Sequence, residues 1–328
     1  MTLSQIENLT NVLKKKQRRL QILREKQATL GLSVPPEIVM EIEDIDADIE
    51  DLQAELTRLN APLIYVHNFG NKVKVPPEAI DLDWGKYFAF GESRRIVPNP
   101  ETWQNELLPV LKQLPQDMGQ RGLVRLRTTG ALSVGFALGY TFREVAQYKL
   151  EVAQFPPNPP SFWYSDELPP SGVPAPRFKV RQMLGSDTAT EAIVIVYATP
   201  NRSPQSVCQA IAQHWGIEDG LGGLFAESSQ AGPEELKGVL LLEAKAAAKD
   251  ERFIDGWEAA ALARSSRRPL VDFVTLVKPE RVHLFLAVPF GLAVFLGHQW
   301  NAIGSTVQCY EWAGVSGQYL PSCSVGLT

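Results

Sequence analysis

The stretch RVHLFLAVPFGLAVFLGHQWNAIGSTVQCYEW, Arg281 to Trp312, limits the fold more than any other part of the chain. Val282–Val288 is an apolar run of strand length, broken by Pro289-Phe290-Gly291. Leu292, Phe295, Leu296 and Gln299 then recur at helical spacing, and Thr306–Trp312 reads as a second strand. Strand, glycine turn, helix and strand form half of a Rossmann-like α/β layer. Ligands of such layers sit beyond the carboxyl ends of the strands. A membrane span is disfavoured: Val282–Gly297 falls short of the roughly 20 apolar residues a spanning helix needs, and its internal Pro-Phe-Gly suits a buried strand followed by a buried helix.

An earlier block repeats the theme. Leu123–Arg127 reads as a strand, Thr128-Thr129-Gly130 as a polar glycine turn, Leu132 to about Val145 as a helix, and Tyr148–Gln154 as another strand. Advanced by 158 positions without gaps, this block sets Leu138-Gly139 on Leu296-Gly297 and Phe142 on Trp300, with Val145 on Ile303 and Ala146 on Gly304. Two copies of one α/β unit are expected. Each would place a glycine-bearing turn at a helix N-terminus, where free N–H groups and the helix dipole favour an anionic group. Between the copies, the proline-rich residues 155–190 read as a long connection without regular structure. Phe162-Trp163-Tyr164 within it either staple that connection to a domain or offer a stacking surface. Beyond it, Ala192–Tyr197 (AIVIVY) and Gly238–Leu242 read as buried strands, and Ser206–His214 and Trp257–Ala263 as helices. Strands and helices alternate, so the class is α/β.

Residues 1–60 are a separate unit. Ile6, Leu9, Leu13, Leu20, Leu23 and Leu30 keep a heptad rhythm with lapses at Lys16 and Gln27. Gly31 suits a C-cap and Pro36 a first helical position. Ile38, Ile42, Ile45, Ile49, Leu52, Leu56 and Leu59 continue the rhythm, so an antiparallel helical hairpin is expected. Lys14–Lys26 holds seven basic residues and one acidic, whereas Glu37–Glu55 holds nine acidic and none basic, so pairing neutralises both helices. That match makes KKKQRR a helix face rather than a nucleic-acid or nuclear-import patch. Residues 61–79 read as a linker, and 80–328 as the α/β domain with halves at about 80–155 and 190–328.

A net charge of −5 over 328 residues weighs against binding bulk DNA or RNA, but leaves room for a small anion in a local pocket. Cys208, Cys309 and Cys323 are odd in number and far apart, which suits reduced thiols in a cytoplasmic protein. The polar helical N-terminus is unlike a signal peptide. No Walker lysine, H-E-x-x-H or G-x-S-x-G is present, and the four histidines are scattered singly. The remaining chemistry is stacking plus small polar groups at strand ends. Thr128, Thr129 and Gly130 offer hydroxyls and amides to a phosphate or ribose, and Arg127 is the nearest cation. Tyr197 and Thr199 flank the equivalent mouth after AIVIVY. Phe290 is a plug or a base platform, Trp163 a stapling or stacking ring, and His298 a core residue or a ligand contact.

VPFGLAVFLGHQWN…VQCYEW, followed by GQYLPSC at 317–323, resembles the C-terminal half of SAVED domains, and ALSVGFALGYTFREV…YKLEVAQ at 131–154 resembles their first half. Asp81-Leu82-Asp83-Trp84 and Trp103…Leu107-Leu108-Pro109 resemble the entry to such domains. The likeness covers roughly residues 80–328. It implies two fused CARF-like units that sense a cyclic oligonucleotide messenger, a cyclic tri- or tetraadenylate, in bacterial antiphage systems (CBASS or type III CRISPR loci). It carries ligand contact onto Arg127, Thr128 and Thr129 in the first unit and onto Pro289, Phe290 and Gly291 in the second. It further implies head-to-tail self-assembly that switches an effector, with no cofactor and no catalytic activity. Family members usually carry a fused effector; here a helical hairpin precedes the domain, so an effector protein docked in trans on that hairpin is expected. The rivals are a nuclease that degrades the signal in the same pocket, and a constitutive scaffold with a degenerate pocket.

Overall fold

The computed structural model describes residues 3–69, 73–90, 95–119, 121–128, 130–155, 161–200, 203–217, 220–226, 232–244, 254–300, 304–314 and 317–326. Thr129, among the expected site residues, lies outside them. The chain divides into two compact units, Met1–Pro62 with Pro76–Glu78, and Leu63–Val75 with Ala79–Thr328.

The first unit is the expected hairpin. Helix α1 (Leu3–Leu30) ends at Gly31, whose φ of +56° reverses the chain through a short 3-10 turn, and α2 (Pro36–Asn60) starts on Pro36. Leu20 and Leu23 pack with Ile38, Ile42, Ile45 and Ile49 in a core of their own. The Lys16 lapse in the heptad rhythm has a cause: Lys16 pairs with Asp48 on the facing helix. Arg19–Glu41 at 2.9 Å and Arg24–Asp46 at 2.6 Å are further cross-helix pairs. All are solvent-exposed, so each contributes at most about 1 kcal/mol. They set the pairing more than they stabilise it.

The second unit carries two sheets. Strands β1 (Leu63–His67), β2 (Ile80–Asp83), the small ribbon of β3 (Ala89–Phe90) and β4 (Arg95–Ile96), and the short helix α3 (Pro100–Thr102) open it. A π-helical turn at Trp103–Leu107 leads into α4 (Leu108–Met118), then β5 (Leu123–Thr128), α5 (Leu132–Thr141), β6 (Lys149–Gln154) and β7 (Ser161–Tyr164). The remainder is β8 (Phe178–Leu184), β9 (Glu191–Tyr197), α6 (Pro204–Trp215), β10 (Gly238–Ala244), α7 (Gly256–Val277), β11 (Arg281–Ala287), α8 (Phe290–Gln299), β12 (Thr306–Trp312) and β13 (Tyr319–Val325).

The first sheet has the order β2-β1-β5-β6-β7 and the second β8-β10-β9-β11-β12-β13. In each, four parallel strands end in an antiparallel edge strand, β7 or β13, and the second sheet adds antiparallel β8 at its other edge. The duplication read in the sequence is therefore present as topology. The offset of 158 holds at both helix ends, from Leu132 to Phe290 and from Thr141 to Gln299.

Three expectations need correction. Residues 61–79, read as a linker, supply β1, an inner strand of the first sheet; its alternating LIYVH is short but follows the strand rule. Residues 155–190 contain two strands, β7 and β8, because the prolines fall before SFWY and between SFWY and FKVRQML rather than within them. The helix expected to run to Val145 ends at Thr141, with a 3-10 turn at Glu144–Ala146.

Burial explains the strand compositions. In AIVIVY, Ala192, Val194 and Val196 face the core shared by both halves, while Ile193, Ile195 and Tyr197 face a second core under α6. Two buried faces demand an unbroken apolar run. In β5, Val124 and Leu126 face the shared core and Arg125 and Arg127 the other side, so that strand alternates.

Candidate functional site: two strand-end mouths around a crossed helix pair

The halves meet through α5 and α8, and glycine makes the meeting possible. A Cβ on Gly139 would overlap the Val294 carbonyl, and one on Gly297 would overlap the Phe136 carbonyl. Shifted by 158, each contact becomes the other, so the two helices cross on a local twofold axis. Backbones this close leave no room for a side chain at the crossing.

Each half then reaches across to cap the other's helix. The Ser133 N–H at the start of α5 donates to Glu311 Oε1 at 2.5 Å, from the carboxyl end of β12, and the Leu132 N–H is also directed there. The Gly291 N–H at the start of α8 donates to Gln154 Oε1 at 3.0 Å, from the carboxyl end of β6. The carboxyl ends of both sheets are thus gathered around the two helix N-termini. Glu311 is buried, and burial raises its pKa, opposed by the Ser133 N–H and by Arg95. Ser133 Oγ also pairs with Ser322 Oγ at 2.9 Å, which accepts from Trp103 Nε1 at 2.8 Å. These caps revise the expectation of two open anion seats, since protein oxygens occupy both N-termini.

At the first mouth, Thr128 closes β5 and is buried. Gly130 follows at φ +113°, where a Cβ would collide with Asn68 Oδ1. Arg127 lies on the opposite face. It forms an ion pair with Glu151, which is fully buried and is also 3.4 Å from Arg125 Nε, and its guanidinium stands 4.5 Å from the centre of the half-exposed Phe162 ring.

At the second mouth, the Ala198 N–H donates to the Ala287 carbonyl at 2.8 Å, which sets Tyr197 and Thr199 beside Pro289. Pro289 is the extended N-cap of α8. Phe290 is buried with its ring against Gly135 of α5, and Tyr197 is buried under α6 with its pKa raised by that burial. Trp163 stands on β7, wedged between the backbones of Gly291 and Gly256, so it packs against both helix starts. His298 is the one expected residue remote from the mouths. It sits at the far end of α8, buried, with Nδ1 bonded to the Phe142 carbonyl across the helix pair and its pKa lowered by burial.

Sequence reasoning missed Asn68, Gln154, Glu151 and Glu311. Asn68 could have been found, since it follows a strand-length alternation at Leu63–His67; the caps could not, because no local signal tells that β6 and β12 exchange partners. A cavity of about 390 Å³, lined by Leu108, Leu111, Tyr140, Thr306 and Val325 among others, lies at the opposite end of α5 and is separate from the mouths. Among the described residues no three His, Cys, Asp or Glu side chains gather as a metal site, and no helix is long and apolar enough to cross a membrane.

The pattern of the SAVED family (SMODS-associated and fused to various effectors sensor domain) matches residues 107–325. Two curated relatives, the CD-NTase-associated protein 4 of an Acinetobacter species and that of Moraxella osloensis, are 39% and 33% identical over 75 residues. Those residues are 23% of this chain and 16% of each relative. Among solved structures, the Acinetobacter baumannii Cap4 SAVED/CARF-domain containing receptor with the cyclic trinucleotide 2′3′3′-cAAA superposes with a TM-score of 0.56 at 18% identity, covering 93% of this chain and 65% of the receptor. The same receptor with 3′3′3′-cAAA gives 0.54 at 17% identity, covering 99% of this chain and 77% of that one. At these identities the likeness is one of fold, and this chain spans only part of its relatives. With the family pattern running through more than half of its length and its fold repeated in those receptors, the chain belongs to the SAVED family.

Proposed function

We propose that this chain is a receptor for a cyclic oligonucleotide, of the cyclic tri- or tetraadenylate type, held across both mouths. The observation that carries the reading is the duplication itself: two equivalent strand-end mouths gathered around a crossed helix pair suit a ligand that repeats one chemical unit around a ring. The fold shared with receptors that hold cyclic triadenylates supports the same ligand class. In the first mouth Thr128, Thr129 and Gly130 meet the ligand, with Arg127 and Phe162 at its margin. In the second, Thr199 and Pro289 meet it, while Phe290, Gly291, Tyr197, Trp163 and His298 hold the frame. Binding acts as the signal without chemistry on the ligand. It promotes head-to-tail assembly, and the hairpin docks an effector protein supplied in trans.

Titration calorimetry with cyclic di-, tri- and tetraadenylate and a linear triadenylate, followed by light scattering, tests this. Saturable heat with one cyclic ligand, growth in mass with that ligand, and its recovery intact are expected. No heat across the panel would overturn the receptor reading in favour of a scaffold. Recovery of linear product would point instead to a signal-degrading nuclease.

A further inference from the structure

The first mouth holds two buried polar atoms with no partner among the described residues, Asn68 Nδ2 and Thr128 Oγ1. Their residues are 3% and 4% exposed. They stand on neighbouring strand ends. Val66 is in register with Thr128, which carries Asn68 alongside Gly130, on the face that bears the core residues Ile64, Val66 and Leu126. Asn68 is also fixed in orientation. Its Oδ1 accepts the Phe69 N–H at 2.7 Å, which leaves Nδ2 as a set donor. Gly130 permits the approach, since any side chain there would displace the amide. A buried donor left unpaired costs free energy, and folded proteins pair such groups with protein, water or ligand.

The neighbours narrow the choice of ligand atom. The phosphate seat nearest these two atoms, the start of α5, is filled by Glu311. Arg125 and Arg127 lie on the other face of the sheet, committed to Glu151. Arg95, with its guanidinium 5.3 Å from the Phe69 ring centre, is balanced by Glu311. Among the described residues, the first mouth therefore presents an amide donor and a hydroxyl in surroundings without net positive charge. Such a pair suits a neutral acceptor better than an anionic oxygen.

We infer that Asn68 and Thr128 read the edge of a nucleobase, with the Asn68 amide donating to a ring nitrogen and the Thr128 hydroxyl completing the contact. The inference rests on the receptor proposal above and names its specificity element. Asn68 lies before the segment matched by the family pattern, residues 107–325, so that pattern does not assign it.

The test is calorimetry of cyclic triadenylate and of three analogues in which adenine N1, N3 or N7 is replaced by C–H, on wild type, Thr128→Val and Asn68→Asp. Asn68→Asp keeps the acceptor for Phe69 and removes the donor, and a loss of about tenfold or more is expected. Thr128→Val should weaken binding by about three- to tenfold with an unchanged salt dependence. One analogue should lose about as much on wild type and nothing further on Asn68→Asp. Thr128→Val should also leave the Tm unchanged or higher, because an unpaired buried hydroxyl is removed; a hydroxyl with a purely structural partner would lower it. Wild-type binding of all three analogues at the parent affinity, or variants that bind as wild type, overturns this inference alone. A wild type that binds no cyclic ligand overturns the receptor proposal and this inference with it.

Discussion

His283 occupies an inner strand position that favours the uncharged imidazole. Its Nδ1 is 2.9 Å from the Tyr310 hydroxyl and its Nε2 is 3.3 Å from Glu191, with Trp215, His214 and Arg281 around it. Burial lowers its pKa to about 4, and the attraction of Glu191 only partly opposes that. The unfolded chain binds this proton near pH 6.5 and the folded one near 4. Stability contributed by His283 is therefore complete above pH 7 and lost as pH falls from about 6.5 towards 4, by at most about 3 kcal/mol. Urea unfolding at pH 7 and pH 5 should show a steeper loss for wild type than for His283→Gln, whose overall stability is lower. Glu311 offers a second test. Glu311→Ala leaves buried N–H groups of Leu132 and Ser133 without an acceptor and should cost about 1–3 kcal/mol, while Glu311→Gln keeps an acceptor and should cost less. Such residues show where sequence reading stops. His283 as a core histidine was legible from its place within an apolar strand, whereas the reach of Glu311 onto α5 depends on two segments 178 positions apart, which no local pattern records.

At the scale of elements, the helix pair is the most constrained contact in the α/β unit. Gly139 and Gly297 each face a backbone carbonyl of the other helix, and backbone cannot swing aside as a side chain can. Gly139→Ala and Gly297→Ala should each destabilise by about 3 kcal/mol or more, read as a fall in denaturation midpoint with an unchanged slope. Loss at one position and tolerance at the other would refute the local twofold. The repeat was legible because Leu-Gly recurs with the same spacing in both copies. What remained hidden was the purpose of the glycines, since a sequence shows a missing side chain but not the carbonyl that fills its place. Strands β1 and β7 were hidden for another reason: each is short and borders segments rich in Pro, Gly and Asn, so turn signals outweighed the strand pattern.

For the whole molecule, the hairpin and the α/β unit are separable by spectroscopy. Residues 1–62 contain no Phe, Tyr or Trp, so aromatic signals report only the α/β unit. Ile45 belongs to the hairpin's own core, with Leu20, Leu23, Ile38, Ile42 and Ile49. Ile45→Asp buries an unpaired charge there and should melt the hairpin. Circular dichroism at 222 nm should fall while tryptophan fluorescence and its unfolding midpoint stay at wild-type values. A parallel fall of both would show that the hairpin contributes to the stability of the α/β unit.

The exchange of caps between Glu311 and α5, and between Gln154 and α8, has a consequence for how the protein tolerates change. Neither copy owns a complete set of helix-end partners, so neither half can drift alone. A saturation mutagenesis map should show two bands of intolerance related by a shift of 158 positions at the helix crossing. At the caps, compensatory changes should be found in the opposite copy.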